Sequence, residues 1–335
     1  MSQGRILLGH GDGGRLTRDL IQEVFAAAFK NPQLNPRADA ALLKIRNKKI
    51  AFTTDSYVVN PVFFPGSDIG KLAVFGTAND LAVMGARPLF LSCGFILEEG
   101  LEMEKLARVV NSMKQAAQLL RVKIVTGDTK VVERGSADKI FINTAGIGEL
   151  LDWPTMGKPI MPGDEILVSG TIGDHGIAIL AARGELKFTA PVQSDCAPVW
   201  PLVAALHKAG IEVKWMRDPT RGGAASALNE LVDRKKFGVR LFENKIPLNA
   251  AVDSACEALG LDPLYLASEG KVICVVKKGQ GEKAKNILRR VPAGEAAEIF
   301  GEVVANPAAK VIIKTQVGGT RILAMLAGTP LPRIC

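Results

Sequence analysis

The sequence predicts a mixed α/β protein of two domains. Three observations lead there: short β-branched and aromatic runs alternate with stretches of helical spacing, chain breakers cluster once near the middle, and 335 residues exceed what one core usually needs. In order, a glycine-dense opening from Gly9 to Gly14 precedes a helix-like stretch from Leu16 to Phe29. Lys49 to Val59 is rich in β-formers and reads as a strand, and Asn60 to Gly66 as a turn. Ile69 to Met84 has helical spacing. Phe90 to Leu97 is strand-like, while Met103, Leu106, Val110, Met113, Ala117 and Leu120 form one face of an amphipathic helix. Lys123 to Val125 and Lys139 to Ala145 close the first domain as short strands.

Between Leu151 and Gly163 the pattern breaks into Asp152-Trp153-Pro154, Lys158-Pro159 and Met161-Pro162-Gly163, which reads as an interdomain connection. The second domain then predicts a strand (Glu165 to Ser169) and helices near Gly176 to Ala182, Pro198 to Ala209 and Ala224 to Val232. A strand (Val239 to Phe242), a helix (Ala250 to Leu259), a strand (Lys271 to Val276) and a helix (Glu282 to Arg290) follow. Ile299 to Val304 and Val311 to Lys314 are the last strands. From Gly318 to Cys335 no long periodic element continues past Leu326, so a mobile tail is expected.

With 47% hydrophobic and 23% charged residues, the chain can bury sizeable cores and does not read as disordered. No run approaches the ~18 apolar residues of a membrane span, and the opening lacks a secretory core; a cytoplasmic address is expected. Five dispersed cysteines without a C-x-x-C pair fit neither a disulfide framework nor a structural zinc site, so the thiols should stay reduced. The net charge is +8, but the basic residues are scattered and tyrosines number two, which argues against a nucleic-acid platform. The positive balance suits a small anion or an acidic partner surface.

Four motifs bear on chemistry. Gly9-His10-Gly11-Asp12-Gly13-Gly14 formally matches G-x-G-x-x-G, yet only a short apolar run precedes it and Arg15-Leu16 stands where a Walker loop needs Lys and Ser or Thr. Its glycines permit close approach to a polyanion; an ordinary flexible turn is the alternative. Asp55, Asp80 and Asp128 are read at element ends, and three carboxylates in one domain suit magnesium and a nucleotide, with capping or turn roles as the alternative for each. Asp218-Pro219-Thr220-Arg221-Gly222-Gly223 is a second glycine-bearing helix entry, either a cap or a ligand site, and His175 can act as an acid or base or begin a helix. Cys335 stands behind Thr329-Pro330-Leu331-Pro332-Arg333-Ile334, a stiffened tail able to carry a thiol between sites; a chance cysteine is the alternative.

These segments, with Phe52-Thr53-Thr54-Asp55-Ser56, Gly76-Thr77-Ala78-Asn79-Asp80-Leu81-Ala82, Thr126-Gly127-Asp128-Thr129-Lys130, Gly173-Asp174-His175-Gly176 and the Pro332-Arg333-Ile334-Cys335 end, resemble the HypE family of hydrogenase maturation proteins. The resemblance runs in order along essentially the whole chain. The ending separates it from aminoimidazole ribonucleotide synthetase and selenophosphate synthetase, which share the fold. It implies a two-domain fold of the aminoimidazole ribonucleotide synthetase (PurM-like) type, with an N-terminal segment 1–35, domains 36–152 and 153–317, and a tail 318–335. The N-terminal sheets of two copies would pair into a homodimer.

The resemblance also implies a carbamoyl dehydratase using ATP and magnesium. A carbamoyltransferase, HypF, loads a carbamoyl group on the Cys335 sulfur; ATP phosphorylates its oxygen; loss of phosphate leaves an S-cyanate. The cyano group then passes to iron on a HypC–HypD scaffold and becomes a ligand of the [NiFe] hydrogenase centre. Residue by residue, Cys335 is the carrier, Glu269 removes a proton and Lys130 stabilises charge, or these two exchange roles. Asp55, Asp80 and Asp128 hold magnesium, Gly11, Gly13 and Gly14 cover the phosphates, and Asn79 stands at the nucleotide or just behind the metal. Asp12 departs from the family's small neutral residue, and an anion there must face away from phosphates or meet metal.

Overall fold

A computed structural model describes residues 14–25, 39–45, 48–184, 191–326 and 334–335. Gly11, Asp12 and Gly13 lie outside them. The first domain comprises helix α1 (Arg15–Leu20, extended by a π-helical turn to Phe25), strands β1 (Ala41–Ile45) and β2 (Lys48–Tyr57), and a small hairpin, β3 (Phe63–Phe64) with β4 (Ser67–Asp68). Helix α2 (Ile69–Val83), strand β5 (Ala86–Glu98), helix α3 (Met103–Leu120) and strands β6 (Lys123–Val132) and β7 (Ile140–Leu150) follow. The strands form one sheet in the order β1-β2-β7-β5-β6. Only β5 and β6 run parallel, because α3 carries the chain back across the sheet between them.

Helix α2 begins at Asp68, whose carboxylate accepts from the N–H groups of Gly70 (2.8 Å) and Lys71 (3.1 Å). It is apolar nearly all round and buried along almost its whole length, the signature of a helix packed on every side. Helix α3 is amphipathic, but its buried stripe is Val109, Met113, Ala116, Ala117 and Leu120; Met103 and Val110, expected on that face, point to solvent.

The second domain contains β8 (Glu165–Val168), α4 (Asp174–Ala182), α5 (Trp200–Lys208), β9 (Val213–Arg217), α6 (Gly223–Val232) and β10 (Gly238–Phe242). Helix α7 (Ala250–Leu259), β11 (Ile273–Val276), α8 (Gly281–Leu288), β12 (Glu298–Val304), β13 (Val311–Lys314) and β14 (Thr320–Leu323) complete it. Its sheet has the order β14-β13-β10-β12-β8-β11-β9. Side chains alternate between two cores: Ile166, Val168, Ile273 and Val275 pack with Leu228 of α6, while Leu167, Cys274 and Val276 pack with Leu202 of α5 and Leu288 of α8. Burial of both faces explains why β11 reads as an unbroken apolar run.

The domains share their packing. Ala82 and Val83 at the end of α2 join the core beneath α5, and Ile177, Val252 and Cys256 of the second domain join the core of the first.

Three expectations change. Strands β1 and β9 are additions. β6 runs on to Val132, which puts Asp128 and Lys130 inside a strand, and Asp80 likewise lies inside α2 rather than at an element end. The expected mobile tail is ordered at both ends: β14 pairs with β13 from Lys314↔Thr320 to Val311↔Leu323, and Ile334 is buried in the first core. An apolar residue at either end of that segment has a core to enter, which composition alone does not reveal. Among the described residues, no helix is long and apolar enough to cross a membrane.

Candidate active site

A cleft of about 360 Å³ opens between the two domains, walled by α1, β2, Asp80 of α2 and the Arg217–Arg221 turn. Helix α1 is held over it by an ion pair from Arg18 to Asp233 (3.2 Å) and by the Arg15 N–H, which donates to the Leu326 carbonyl (3.0 Å). Gly14 lies in the wall, with no room for a Cβ against that same carbonyl.

The floor is acidic. Carboxylate oxygens of Asp39, Asp80 and Asp218 lie within 4.8 Å of one another. Arg217 pairs with Asp39 (2.9 Å) and Glu230 (2.7 Å) from one side. The Thr53 hydroxyl sits 2.7 Å from the Asp39 carbonyl and 2.9 Å from Asp80 Oδ2, and the Tyr57 hydroxyl lies 3.1 Å from Thr77, so β2 and α2 are fixed in register. Burial raises the Asp39 carboxyl to about 7 and Asp218 to about 6, and raises Asp80 well above its ordinary range; Arg217 opposes the first two shifts. For Asp80, the charges of Asp218, Asp55 and Asp39 add to the effect of burial. Three hard oxygen donors repelling one another at this distance suit a divalent cation.

Asp218 precedes a turn that only glycine can make. Gly222 and Gly223 have φ of +75° and +60°, and a Cβ on Gly223 would run into the Leu264 carbonyl. Arg221, in the same turn, lies 3.9 Å from Asp55. Its guanidinium is held protonated by the negative charge at Cys335 first, then, against burial, by Asp55 and Glu269. It is the common neighbour of the tail and two carboxylates.

Glu269 is buried, and its Oε1 has no hydrogen-bond partner among the described residues. Burial first, then Asp218, Asp195 and Asp55, push its carboxyl well above the usual range, with Arg221 opposing. Its backbone is fixed, because its N–H donates to Asp195 Oδ1 (3.0 Å) and Gly270 has no room for a Cβ against the Asp195 carbonyl. From the other direction the tail arrives: the Val58 N–H donates to the Cys335 carbonyl (3.1 Å), and His175 Nε2 bonds the Ile334 carbonyl. Cys335 is half-buried.

Residues 37–150 match the AIR synthase related protein, N-terminal domain, and residues 161–314 match its C-terminal domain. Over 335 aligned residues the chain is 48% identical to carbamoyl dehydratase HypE of Rhodobacter capsulatus, spanning 99% of this chain and 98% of that protein. It is 45% identical to carbamoyl dehydratase HypE of Escherichia coli K12, spanning 98% and 99%. The chain belongs to the HypE family. Solved HypE structures have the same fold. HypE in a HypE–HypF complex gives a TM-score of 0.85 at 49% identity over 92% of this chain and 99% of that one. HypE in complex with ATP gives 0.81 at 48% identity over 99% and 100%. Thiamine monophosphate kinase from Aquifex aeolicus, 19% identical with a TM-score of 0.65, shares the fold alone.

Of the residues the HypE resemblance singled out, the structure gathers Gly14, Asp55, Asp80, Glu269 and Cys335 around the cleft. Two others it does not gather there within one chain. Asp128 and Lys130 lie on β6, the outermost strand, where they face solvent and pair with each other at 3.2 Å. The Lys130 ammonium holds the Asp128 carboxyl below its usual range. Three strand spacings, roughly 14 Å, separate β6 from β2, so Asp128 cannot join Asp55 and Asp80 and Lys130 cannot face Glu269 in the same chain.

Asn79 stands behind the site, one of the two places expected for it. Its carbonyl accepts from the Val199 N–H (2.8 Å), and its amide donates to the Ala197 (3.1 Å) and Glu269 (3.3 Å) carbonyls, so it braces Glu269 instead of contacting a ligand. Asp39 carried no sequence signal. Asp218 and Arg221 sat in a motif that reads equally well as a helix cap.

Proposed function

We propose that this chain is an ATP-dependent carbamoyl dehydratase that makes the cyano ligand of [NiFe] hydrogenase on its Cys335 sulfur. The observation that carries the reading is the meeting at Arg221, beside an acidic cleft, of a thiol-bearing tail with the buried Glu269 carboxylate, whose Oε1 has no hydrogen-bond partner among the described residues. A carbamoyl oxygen is a poor leaving group; transferring the terminal phosphoryl of ATP to it makes phosphate the leaving group. The nitrogen gives up one proton as the oxygen is phosphorylated and ADP leaves; Glu269 then takes its second proton as the C–O bond breaks, giving the S-cyanate and phosphate. A carboxyl raised well above its ordinary value is a strong enough base for that step. Arg221, next to both Cys335 and Glu269, stabilises charge developing on the phosphorylated oxygen.

Magnesium fits the acidic floor: Asp39, Asp80 and Asp218 would hold it, with Asp55 beside the phosphates, and it supplies neutralisation of phosphate charge. Gly14, in the cleft wall, is placed for close approach to the phosphates. A HypE relative solved in complex with HypF supports HypF as the loading partner, and a HypC–HypD iron scaffold is the acceptor; both suit a cytoplasmic setting in which none of the five cysteines forms a disulfide.

A second copy of the chain completes the site. Phe52, Phe90, Ile96 and Ile147 are exposed on the outer face of the first sheet, and among the described residues β6 pairs only with β5. An apolar face beside an open strand edge is what a homodimer covers. It also carries Asp128 and Lys130, which can serve the partner's cleft though not their own. Ile96→Asp, on that face beside Lys130, is expected to raise the dimer dissociation constant by about 10- to 100-fold in sedimentation experiments and to lower turnover with it. An unchanged dimer would reject this face.

The test of the whole reading is intact mass. After incubation with carbamoyl donor, the carbamoyltransferase and MgATP, Cys335 should gain a carbamoyl group and then lose one water. An unchanged Cys335 in folded, ATP-bound protein would refute it. Glu269→Gln keeps the shape and removes the base. It should take up the carbamoyl group normally and dehydrate it about 10²- to 10⁴-fold more slowly.

A further inference from the structure

His175 is fully buried at the first turn of α4, in a position where an apolar side chain would pack without polar obligations. Both ring nitrogens are engaged. The Ile334 carbonyl can only accept, so Nε2 carries the proton and donates to it. Nδ1 therefore accepts, taking the Ser194 hydroxyl at 2.8 Å, and the Ser194 oxygen in turn accepts the Cys196 N–H at 3.1 Å. The Phe64 ring meets the imidazole edge-on with centroids 5.5 Å apart. Tautomer and ring orientation are thus both set by the protein. Burial keeps the ring neutral, with a pKa lowered to about 4.

The segments that brace this ring also hold Glu269. The Gly173 N–H donates to Ser268 Oγ (3.0 Å) and the Gly176 N–H to the Ala267 carbonyl (3.2 Å), which ties the start of α4 to the residues just before Glu269. Ser194 is followed by Asp195, whose carboxylate takes the Glu269 N–H. One end of this rigid unit carries the carboxylate, and the other grips the peptide immediately before Cys335. Val58, from the first domain, grips the next carbonyl.

We infer that His175 is a positioning residue for the carrier tail: its Nε2–H holds the Ile334 carbonyl and so fixes where the Cys335 side chain stands relative to Glu269. The inference rests on the dehydratase reading for its kinetic consequence, but not for the contact itself. His175 does not touch the sulfur; it acts through the tail backbone. Misplacing a reacting group by about 1 Å is enough to lose about 10²-fold in rate.

The test uses the full chain, carbamoylated by its loading partner and mixed with MgATP in a single turnover followed by mass. His175→Phe, which keeps the ring and removes the donor, should slow loss of water about 10- to 100-fold while carbamoylation and ATP affinity stay at wild-type values. His175→Gln, whose amide can donate, should recover most of the rate. A second readout needs neither ATP nor turnover: alkylation of Cys335 by iodoacetamide should quicken about 10-fold in His175→Phe and stay near wild type in His175→Gln. If the wild type loses no water, the dehydratase reading fails and alkylation alone decides the tail contact. If His175→Phe does not fold, Ser194→Ala, which unlocks the ring without touching the tail, should speed alkylation about threefold. Wild-type rates in the folded variants, or equal impairment by Phe and Gln, would overturn the inference.

Discussion

Cys335→Ala is expected to abolish cyanate formation altogether, leaving no adduct by intact mass, while ATP binding is unchanged. A complete loss is expected because the sulfur is the bond that carries the cargo, and no other thiol of the chain can take its place. Cys93, Cys256 and Cys274 are buried, and burial raises their thiols to about 12, 11 and 12. Cys196 lies nearer the site, but burial first, then Glu269 and Asp195, push its thiol upward too. A thiol so far above neutral pH offers almost no thiolate to a carbamoyl donor. Any carbamoyl adduct that lost water in Cys335→Ala would place the chemistry on another residue and end the carrier assignment.

Asp80→Asn should separate stability from function in the opposite sense. Asp80 faces Asp39 and Asp218 across the floor of the cleft, and all three carboxyls are raised in the folded state. Their unfolded value is 3.8, so as pH rises above it the unfolded chain releases protons that the fold retains. The fold therefore loses stability as pH rises from near 4 through about 6 and 7, where Asp218 and Asp39 ionise, and a bound cation restores that stability.

In chelator near pH 7, Asp80→Asn should melt higher than wild type, at about 2–4 °C for each kcal/mol of relieved repulsion. The gain should fade as pH falls toward 4. Magnesium with ATP should raise the melting temperature of the wild type and leave the variant unmoved, and turnover of the variant should vanish. A variant less stable than wild type in chelator, or one that still responds to magnesium, would reject these carboxylates as the metal site.

The fold was largely legible because its elements are long and their periodicity is local. Helix α2 announced itself by spacing, β8 and β11 by apolar runs, and the interdomain connection by clustered prolines. The errors have one cause, which is that a motif names residues without giving their surroundings. Asp128 reads as standing at an element end after a short strand ending at Val125, yet Thr126 to Lys130 pairs along β5 as strand. The tail looks free by composition, and only the pairing of β14 with β13 and the burial of Ile334 in the first core show otherwise.

The sequence by itself determined the two-domain α/β plan, the order of the HypE motifs and the singular place of Cys335, since these depend on local pattern and on residue identity. Tertiary structure decided which acids converge. Asp39, Asp80 and Asp218 are far apart along the chain and meet only because α2 packs between the two domains, and the same packing buries Glu269, leaves one of its oxygens unpartnered and raises its pKa. Desolvation and charge repulsion depend on distance in space, and that distance is set by how the two sheets and α2 pack together.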